Sequence, residues 1–450
     1  MLFNFSDNLP FERETVWDWH THPGAVQRLT PPFTPMKVSR GASSLSDGTT
    51  IFALPAGLKW IAQHLPGPYS PGKRFADKCV NFPLSLTGWT HEHNFSDGSP
   101  GSTIVLDSVR TRIPLPPSFM KRIFRYRQNQ LRADLERAKE FAEFARESSK
   151  PLTIAVTGSS GLVGTALRAQ LSTLGHTVIQ LVRSQPREKQ RLWNPKDPDP
   201  SILDGVDAVV HLAGEPIGKP FTQGHVQRLF DSRITPTQLL ARLAERSPQC
   251  RTFVSASAVG FYGADRGDEV LDETAAQGTG ILADLVQRWE EASHEFDGSS
   301  LRVVHIRTGI ALSGAGGMLP ILAALTWTGL AGPIGKGDNW FSWIALDDLT
   351  DIYVRAILDA TVRGPVNATA PNPVTNAEFM EALGSVLHRP TVLPIPKWTP
   401  AILLGRSGRD ELAVASQRVS PTTLQTLGHT FRYATVNSAL AHELGRNDAS

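Results

Sequence analysis

The run from Pro151 to Gly175 constrains this chain more than any other. Leu152 to Val156 is short, apolar and β-branched, the pattern of a parallel strand buried on both faces. Gly158, Gly161 and Gly164 follow at three-residue spacing, and Ala166 to Leu174 carries a helical pattern that Gly175 ends. Glycines also mark ordinary tight turns. Here a strand precedes them and a helix follows, which together make a pyrophosphate cradle. The turn is tight, the backbone approaches phosphate closely, and the helix N-terminus offers free N–H groups and a positive dipole. The expected cofactor contacts are Gly158, Ser160, Gly161, Leu162 and Gly164.

The spacing in Thr157-Gly-Ser-Ser-Gly-Leu-Val-Gly164 resembles that of the extended short-chain dehydrogenase/reductase superfamily. The resemblance implies a doubly wound α/β sheet of Rossmann type. With 450 residues the chain exceeds one ordinary core, so two domains are expected. Their predicted extents are 1–148 and 151–450, the second carrying a C-terminal lobe over 370–450. A formal net charge of +2 gives no push toward nucleic acid or membrane. Cys79 and Cys250 stand far apart and in no metal-like spacing, which fits a reduced, cytoplasmic setting. The opening residues lack the basic-then-apolar pattern of a signal peptide. Met318 to Ile334, the most apolar later stretch, is broken by Pro320, Gly329, Gly332 and Pro333, so no transmembrane helix is expected.

The first domain shows no βα alternation. Strand-like pieces at Met36–Arg40, Thr49–Leu54, Leu58–His64, Ala76–Phe82, Gly88–Asn94 and Ser102–Ile113 suggest an antiparallel sheet. Arg13–His20 reads as a short helix. A long amphipathic helix is expected over Ser118–Arg146, with Phe124, Leu131, Leu135 and Phe141 on one face and Arg and Lys opposite. The run from Trp17-Asp-Trp-His-Thr-His-Pro to Phe33 is similar to START-like, polyketide-cyclase-type helix-grip domains. That resemblance implies an α+β domain with an apolar cavity, hence an apolar small-molecule ligand. His91 and His93 would share a strand face, but no third ligand stands at useful spacing. They are read, with His20 and His22, as ordinary pocket or surface histidines and not as a metal site.

Glu147–Pro151 reads as a polar hinge. Beyond it, strands at His176–Val182, Asp207–Leu212, Thr252–Ser255 and Leu301–Arg307 alternate with helices at Thr222–Ser247 and Gly280–Phe296, the signature of a doubly wound parallel sheet. At the end of the second strand, where a carboxylate would bind the ribose of NAD, stands Arg183, which suits a 2′-phosphate. NADP is therefore expected, with NAD second. His211-Leu-Ala-Gly214 ends the next strand, and Leu212, Ala213 and Gly214 let a dinucleotide pass close. Glu215 follows as an acid facing either the nicotinamide side or solvent.

Phe253-Val-Ser-Ala-Ser-Ala-Val-Gly-Phe-Tyr-Gly263 resembles the Ser-Ser-x-x-x-Tyr-Gly segment of sugar-nucleotide epimerases, with one extra residue. The match places Ser257 at the catalytic serine. The same superfamily carries a Tyr-x-x-x-Lys pair, four residues before a Glu. Counting back from Glu290 puts Leu282 and Val286 at those two places, and no Tyr-x-x-x-Lys occurs in the chain. Ser257, Tyr262 and Glu215 are the remaining catalytic candidates, with the Tyr262 hydroxyl aimed into the cleft. Arg307-Thr-Gly309 resembles the turn that lines the nicotinamide.

Asp231-Ser-Arg-Ile-Thr235, Gln287-Arg-Trp-Glu290, Phe341-Ser-Trp-Ile-Ala-Leu-Asp-Asp348, Ser416-Gln-Arg-Val419 and Leu427-Gly-His-Thr-Phe-Arg-Tyr433 look like a narrower family. It is the epimerase-like group of atypical short-chain dehydrogenases once mislabelled as cell-division inhibitors, whose C-terminal piece is a domain of unknown function. Two readings stay open. One is an NADP-dependent oxidoreductase or epimerase-like enzyme acting on a small molecule. The other is a non-catalytic NADP-binding sensor. If Arg183 takes a 2′-phosphate, Arg183→Asp weakens NADPH binding far more than NADH binding. Calorimetry on the wild type and variant checks this, and equal wild-type affinities for the two cofactors would sink it.

Overall fold

The structure, a computed structural model, describes residues 1–144, 150–298 and 300–446. The expected hinge residues Glu147 to Ser149 and the helix end at Arg146 lie outside the described residues. The chain divides into two compact units. One is Met1–Glu143 with Arg168–His176; the other is Phe144–Leu167 with Thr177–Ser450.

The first unit is built on an antiparallel sheet. Its strands are β1 (Leu2–Leu9), β2 (Lys37–Arg40), β3 (Thr49–Ala53), β4 (Lys59–His64), β5 (Arg74–Cys79), β6 (Thr90–Asp97) and β7 (Thr103–Arg110), in the order β1-β7-β6-β5-β4-β3-β2. Period-two alternation fixes the faces. Along β7, Thr103, Val105, Asp107 and Val109 are buried while Ile104 and Arg110 are exposed, and on β6 His91, His93 and Phe95 are buried. The helices are α1 (Arg13–Thr21), α2 (Ala25–Arg28) and α3 (Pro117–Phe144). The apolar stripe of α3 supplies Met120, Phe124, Leu131 and Leu135 to the core, with Phe75, Phe95, Val105 and Val109 from the sheet. Sequence reading omitted β1. Its Phe3 and Phe5 turn inward against Phe124, and the strand pairs along its whole length with β7.

A charged pair crosses this core. Arg28 on α2 donates to both carboxylate oxygens of Asp134 on α3, at 2.8 and 2.6 Å, with both residues buried.

In the second unit β8 (Thr153–Thr157), β9 (Thr177–Val182), β10 (Gln190–Leu192), β11 (Ala208–His211), β12 (Thr252–Ala258), β14 (Arg302–Thr308) and the strand Gly364–Ala368 form one parallel sheet, ordered β10-β9-β8-β11-β12-β14 and then Gly364–Ala368. The strand β13 (Asp265–Leu271) lies outside it and pairs with Ser416–Val419. The helix α4 (Leu162–Thr173) begins in this unit, and α5 (Gln223–Asp231), α6 (Ile234–Arg246) and α7 (Ile281–His294) lie wholly within it. The doubly wound α/β class expected from the glycine-turn pattern is thus present. Burial of the central strands on both faces explains their unbroken apolar runs.

The helix expected over Thr222–Ser247 is two helices. The chain breaks at Ser232 and Arg233, whose side chains engage the loop holding Glu215 instead of extending a helical surface. A second cluster joins Leu319, Phe341 and Trp343 to Phe379, Leu383 and Leu440, so the C-terminal lobe draws on residues well before 370. No helix among the described residues is long and apolar enough to cross a membrane.

The Arg28–Asp134 pair gives a stability test. Asp134→Ala takes the bidentate carboxylate away from a buried guanidinium and is expected to cost about 3–5 kcal/mol. The double change with Arg28→Ala costs less, because no charge is then left without its partner. Urea unfolding of the full chain measures both, and a single-variant loss below ~1 kcal/mol would mark the pair as solvent-screened.

Candidate functional site

The glycine turn meets the end of β11. Thr157 ends β8, and its hydroxyl accepts from the Leu212 and Ala213 amides at 3.1 and 3.2 Å and lies 2.7 Å from His211 Nδ1. Gly158 has φ +61°, and an added Cβ there would lie 2.7 Å from the Leu212 carbonyl carbon. At Gly164 it would lie 2.3 Å from the Gly158 carbonyl oxygen. Only glycine fits at either position. Ser160 and Gly161 are exposed and Leu162 half-buried at the start of α4, whose first amides have no earlier helical carbonyl to bond. Gly214 is exposed, and an added Cβ there would lie 2.9 Å from the Arg233 guanidinium carbon.

Arg183 follows β9 directly, and β9 pairs with β8 in parallel register, Leu181 opposite Thr157. Arg183 therefore stands at the same end of the sheet as the glycine turn. It is exposed, and no carboxylate pairs with it among the described residues. The structure thus brings Gly158, Ser160, Gly161, Leu162, Gly164, Arg183, Leu212, Ala213 and Gly214 to one end of the sheet. Free amides, absent side chains and one unpaired cation suit a dinucleotide phosphate.

The catalytic candidates fare differently. Ser257 lies on β12 and donates to Glu290 Oε1 at 2.6 Å. Arg307 on β14 holds the same carboxylate through two bonds, Nε to Oε1 at 2.9 Å and a terminal nitrogen to Oε2 at 2.8 Å. Its other terminal nitrogen donates to the Tyr262 hydroxyl at 3.1 Å, and the guanidinium lies 3.6 Å from the Phe261 ring centre. The Tyr262 hydroxyl is also 2.7 Å from Asn367 Oδ1 and 2.9 Å from the Asp272 carbonyl oxygen.

Tyr262 is wholly buried, so its hydroxyl does not reach a cleft as expected. A desolvated phenol hemmed by internal partners is lost to solvent, and burial pushes its pKa up to about 12. The Arg307 guanidinium, expected beside the nicotinamide, is buried and bonds Glu290 and Tyr262. Burial pushes the Glu290 carboxyl up, but the Arg307 hydrogen bonds and charge outweigh this and hold it below its ordinary value.

Glu215 stands apart from this cluster. It pairs with Lys219 at 2.7 Å, and that bond holds its carboxyl below the usual range. Glu215 is thus ionised at neutral pH, with no proton to give. At the places of the missing tyrosine and lysine, Leu282 and Val286 are both buried, and Leu282 packs with Leu229 and Leu285 on α5 and α7. Trp343 and Ser342 are buried in the core, while Trp340 donates to Asp268 at the rim. Sequence reading missed Asn367 and Glu273; the latter caps the Asn367 and Thr423 amides at 3.0 and 3.1 Å. Neither carries a motif.

The first unit holds a cavity of about 430 Å³ between α3 and the sheet. Leu29, Phe52, Trp60, Trp89, Met120 and Phe124 make most of its wall apolar, and His20, His64, Asp77, His91, His93 and Arg127 gather at one part of it.

Residues 154–368 match the NAD dependent epimerase/dehydratase family, and residues 395–443 match a domain of unknown function, DUF1731. An epimerase family protein of Mycobacterium bovis is 42% identical over 297 residues, 65% of this chain and 98% of that one. The chloroplastic SDR39U1 homolog of Arabidopsis thaliana is 33% identical, covering 65% of this chain and 87% of that one. Among solved structures, the nucleoside-diphosphate sugar epimerase from Corynebacterium glutamicum is 48% identical, with TM-score 0.88 over 99% of this chain and 91% of that one. Human SDR39U1, solved with NADPH, is 29% identical, with TM-score 0.60 over 65% of this chain and 99% of that one.

The Glu290–Arg307 pair predicts a pH signature. A carboxyl whose folded pKa is depressed stabilises the fold above its unfolded pKa, about 4.3, and loses that contribution as pH falls through the folded value. Glu290→Gln removes the term and leaves Arg307 without its counter-charge, an expected cost of about 3–5 kcal/mol at neutral pH. The acid limb of its stability profile should also be shallower than the wild type's. Thermal unfolding from neutral to acid pH reads both, and parallel acid limbs would contradict the assignment.

Proposed function

The chain belongs to the NAD dependent epimerase/dehydratase family, and on that premise we propose that its second unit binds NADP(H) and exchanges hydride with a small-molecule substrate. The observation that carries the cofactor reading is the exposed Arg183 at the end of β9, at the end of the sheet where Gly158 and Gly164 admit no side chain. Gly158, Ser160, Gly161, Leu162 and Gly164 would hold the pyrophosphate, with Arg183 on the 2′-phosphate and Leu212 to Gly214 along the dinucleotide. The relative solved with NADPH supports this choice over NAD. A bound nicotinamide supplies or accepts the hydride.

The chain's own residues do less acid–base work than in related enzymes. Ser257 keeps oxygen lone pairs but gives its proton to Glu290. Tyr262 is sealed, Glu215 is ionised, and Leu282 and Val286 hold no proton. Proton exchange therefore falls to solvent, not to Tyr262 as the sequence suggests. The second reading, a non-catalytic NADP(H) sensor, is favoured by the same internal saturation of Ser257, Tyr262 and Arg307. The first unit, on its antiparallel sheet, long helix and cavity, is proposed as a helix-grip domain of START-like type holding an apolar small molecule. Cys79 and Cys250 are free and buried, which supports a reducing, cytoplasmic setting.

The experiment is hydride transfer from 4-deuterated NADPH to a panel of carbonyl compounds and nucleoside-diphosphate sugars, followed by mass spectrometry. The expected outcome is transfer to one compound class, retained in folded Tyr262→Phe. Loss of transfer in that variant with NADPH binding intact would return the proton to Tyr262. Tight NADPH binding with no transfer to any compound would favour the sensor.

A further inference from the structure

The polar part of the first unit's cavity is assembled by strand register. His91 and His93 sit two residues apart on β6 and point to the same buried face. Asp77 on β5 pairs directly with His91, and Asp107 on β7 pairs directly with His93. Three neighbouring strands thus place two carboxylates around two imidazoles whose ring centres are 3.9 Å apart.

Asp107 Oδ1 lies 2.9 Å from His91 Nε2 and 2.7 Å from His93 Nδ1. A carboxylate only accepts, so both of those nitrogens carry hydrogen. In the neutral tautomers this leaves the lone pairs on His91 Nδ1 and His93 Nε2. His91 Nδ1 is 4.0 Å from Asp77 Oδ2. That is too long for a hydrogen bond, and it sets two electron-pair donors against each other in a buried place. One ligand atom from each of Asp77, His91 and His93 falls within a mutual span of 4.8 Å.

We propose that Asp77, His91 and His93 bind a divalent transition-metal ion of the zinc class, with Asp107 as the carboxylate that orients both imidazoles. Imidazole nitrogen and carboxylate oxygen each bind zinc at about 2.0–2.2 Å, so donors sharing one ion stand at most about 4 Å apart, and the 4.8 Å span of this cluster has to contract when an ion binds. Ligating histidines commonly donate their second nitrogen to a carboxylate, which raises their basicity, and Asp107 serves both rings. Ligands on paired strands are held more rigidly than ligands on loops. Asp77 and Asp107 set two negative charges against the one positive charge of Arg127, which lines the same cavity. His20 and His64 bond through Nδ1 to the Val16 and Ser44 carbonyls and stand outside the ligand set.

Asp77, His91 and His93 all line the cavity. Three protein ligands leave a coordination position open, as in catalytic rather than structural zinc sites. That position faces an apolar cavity, so it suits the carbonyl, hydroxyl or carboxylate end of an otherwise apolar molecule.

The test uses the full chain, stripped with a chelator and titrated with Co²⁺. The expected result is one saturable equivalent with visible d–d absorption, displaced by Zn²⁺. His93→Gln and Asp77→Asn should each abolish that band, Asp107→Asn should weaken binding about 10–100-fold, and His22→Gln should change nothing. In the wild type, Co²⁺ should also produce two paramagnetically shifted, slowly exchanging imidazole N–H resonances, from the protons held by Asp107. This readout decides the matter even if the variants fold poorly. No saturable equivalent in the wild type, or an unchanged band in folded His93→Gln and Asp77→Asn, overturns the proposal and leaves a proton between His91 and Asp77.

Discussion

A buried carboxylate gripped by a buried guanidinium organises the centre of the second unit. Glu290 comes from α7 and Arg307 from β14, and through them Ser257 on β12 and Tyr262 just beyond it are fixed. Tyr262 in turn reaches Asn367 on the last strand of the sheet. One ion pair therefore ties a helix to three strands. Burying both charges is costly, and the geometry that offsets the cost is bidentate, with Ser257 supplying another bond to the carboxylate. Ser257 and Tyr262 here hold the frame, while Ser160 and Gly161 of the glycine turn remain exposed.

The two units use hydrogen bonding to opposite ends. In the second, Ser257, Tyr262, Glu290 and Arg307 bond one another internally, while Arg183 stays exposed. In the first, imidazoles and carboxylates are held together inside an apolar wall, with donor atoms turned toward a cavity. Adjacent strands in register bring Asp77, His91, His93 and Asp107 into one cluster without any short sequence motif.

That contrast explains what the sequence made legible. The parallel sheet could be read from apolar strands alternating with helices, because burial on both faces leaves an unbroken hydrophobic run. The glycine cradle was equally plain, since the turn demands glycine whatever the ligand. The fate of Tyr262 was not legible. Its order after Ser257 says nothing of Asn367, which arrives from far along the chain. The third donor beside His91 and His93 stayed hidden for a related reason, since cross-strand register, not local spacing, delivers Asp77. The break at Ser232 was missed because apolar periodicity runs on through it, and only their bonds to the Glu215 loop reveal why the helix stops.

The glycines also divide by what surrounds them. At Gly158 and Gly164 the nearest atoms are main-chain atoms of Leu212, Gly158 and Ser159; at Gly214 and Gly260 they belong to the side chains of Arg233 and Leu282. A side chain can be replaced by a smaller one, but a peptide group cannot. A substitution at Gly214 can thus be compensated by a second change at Arg233, and the chain can drift through such pairs. At Gly158 and Gly164 no second change removes the obstacle. These positions are one-way gates in the chain's history: a lineage that leaves glycine there gives up the turn, and only reversion restores it.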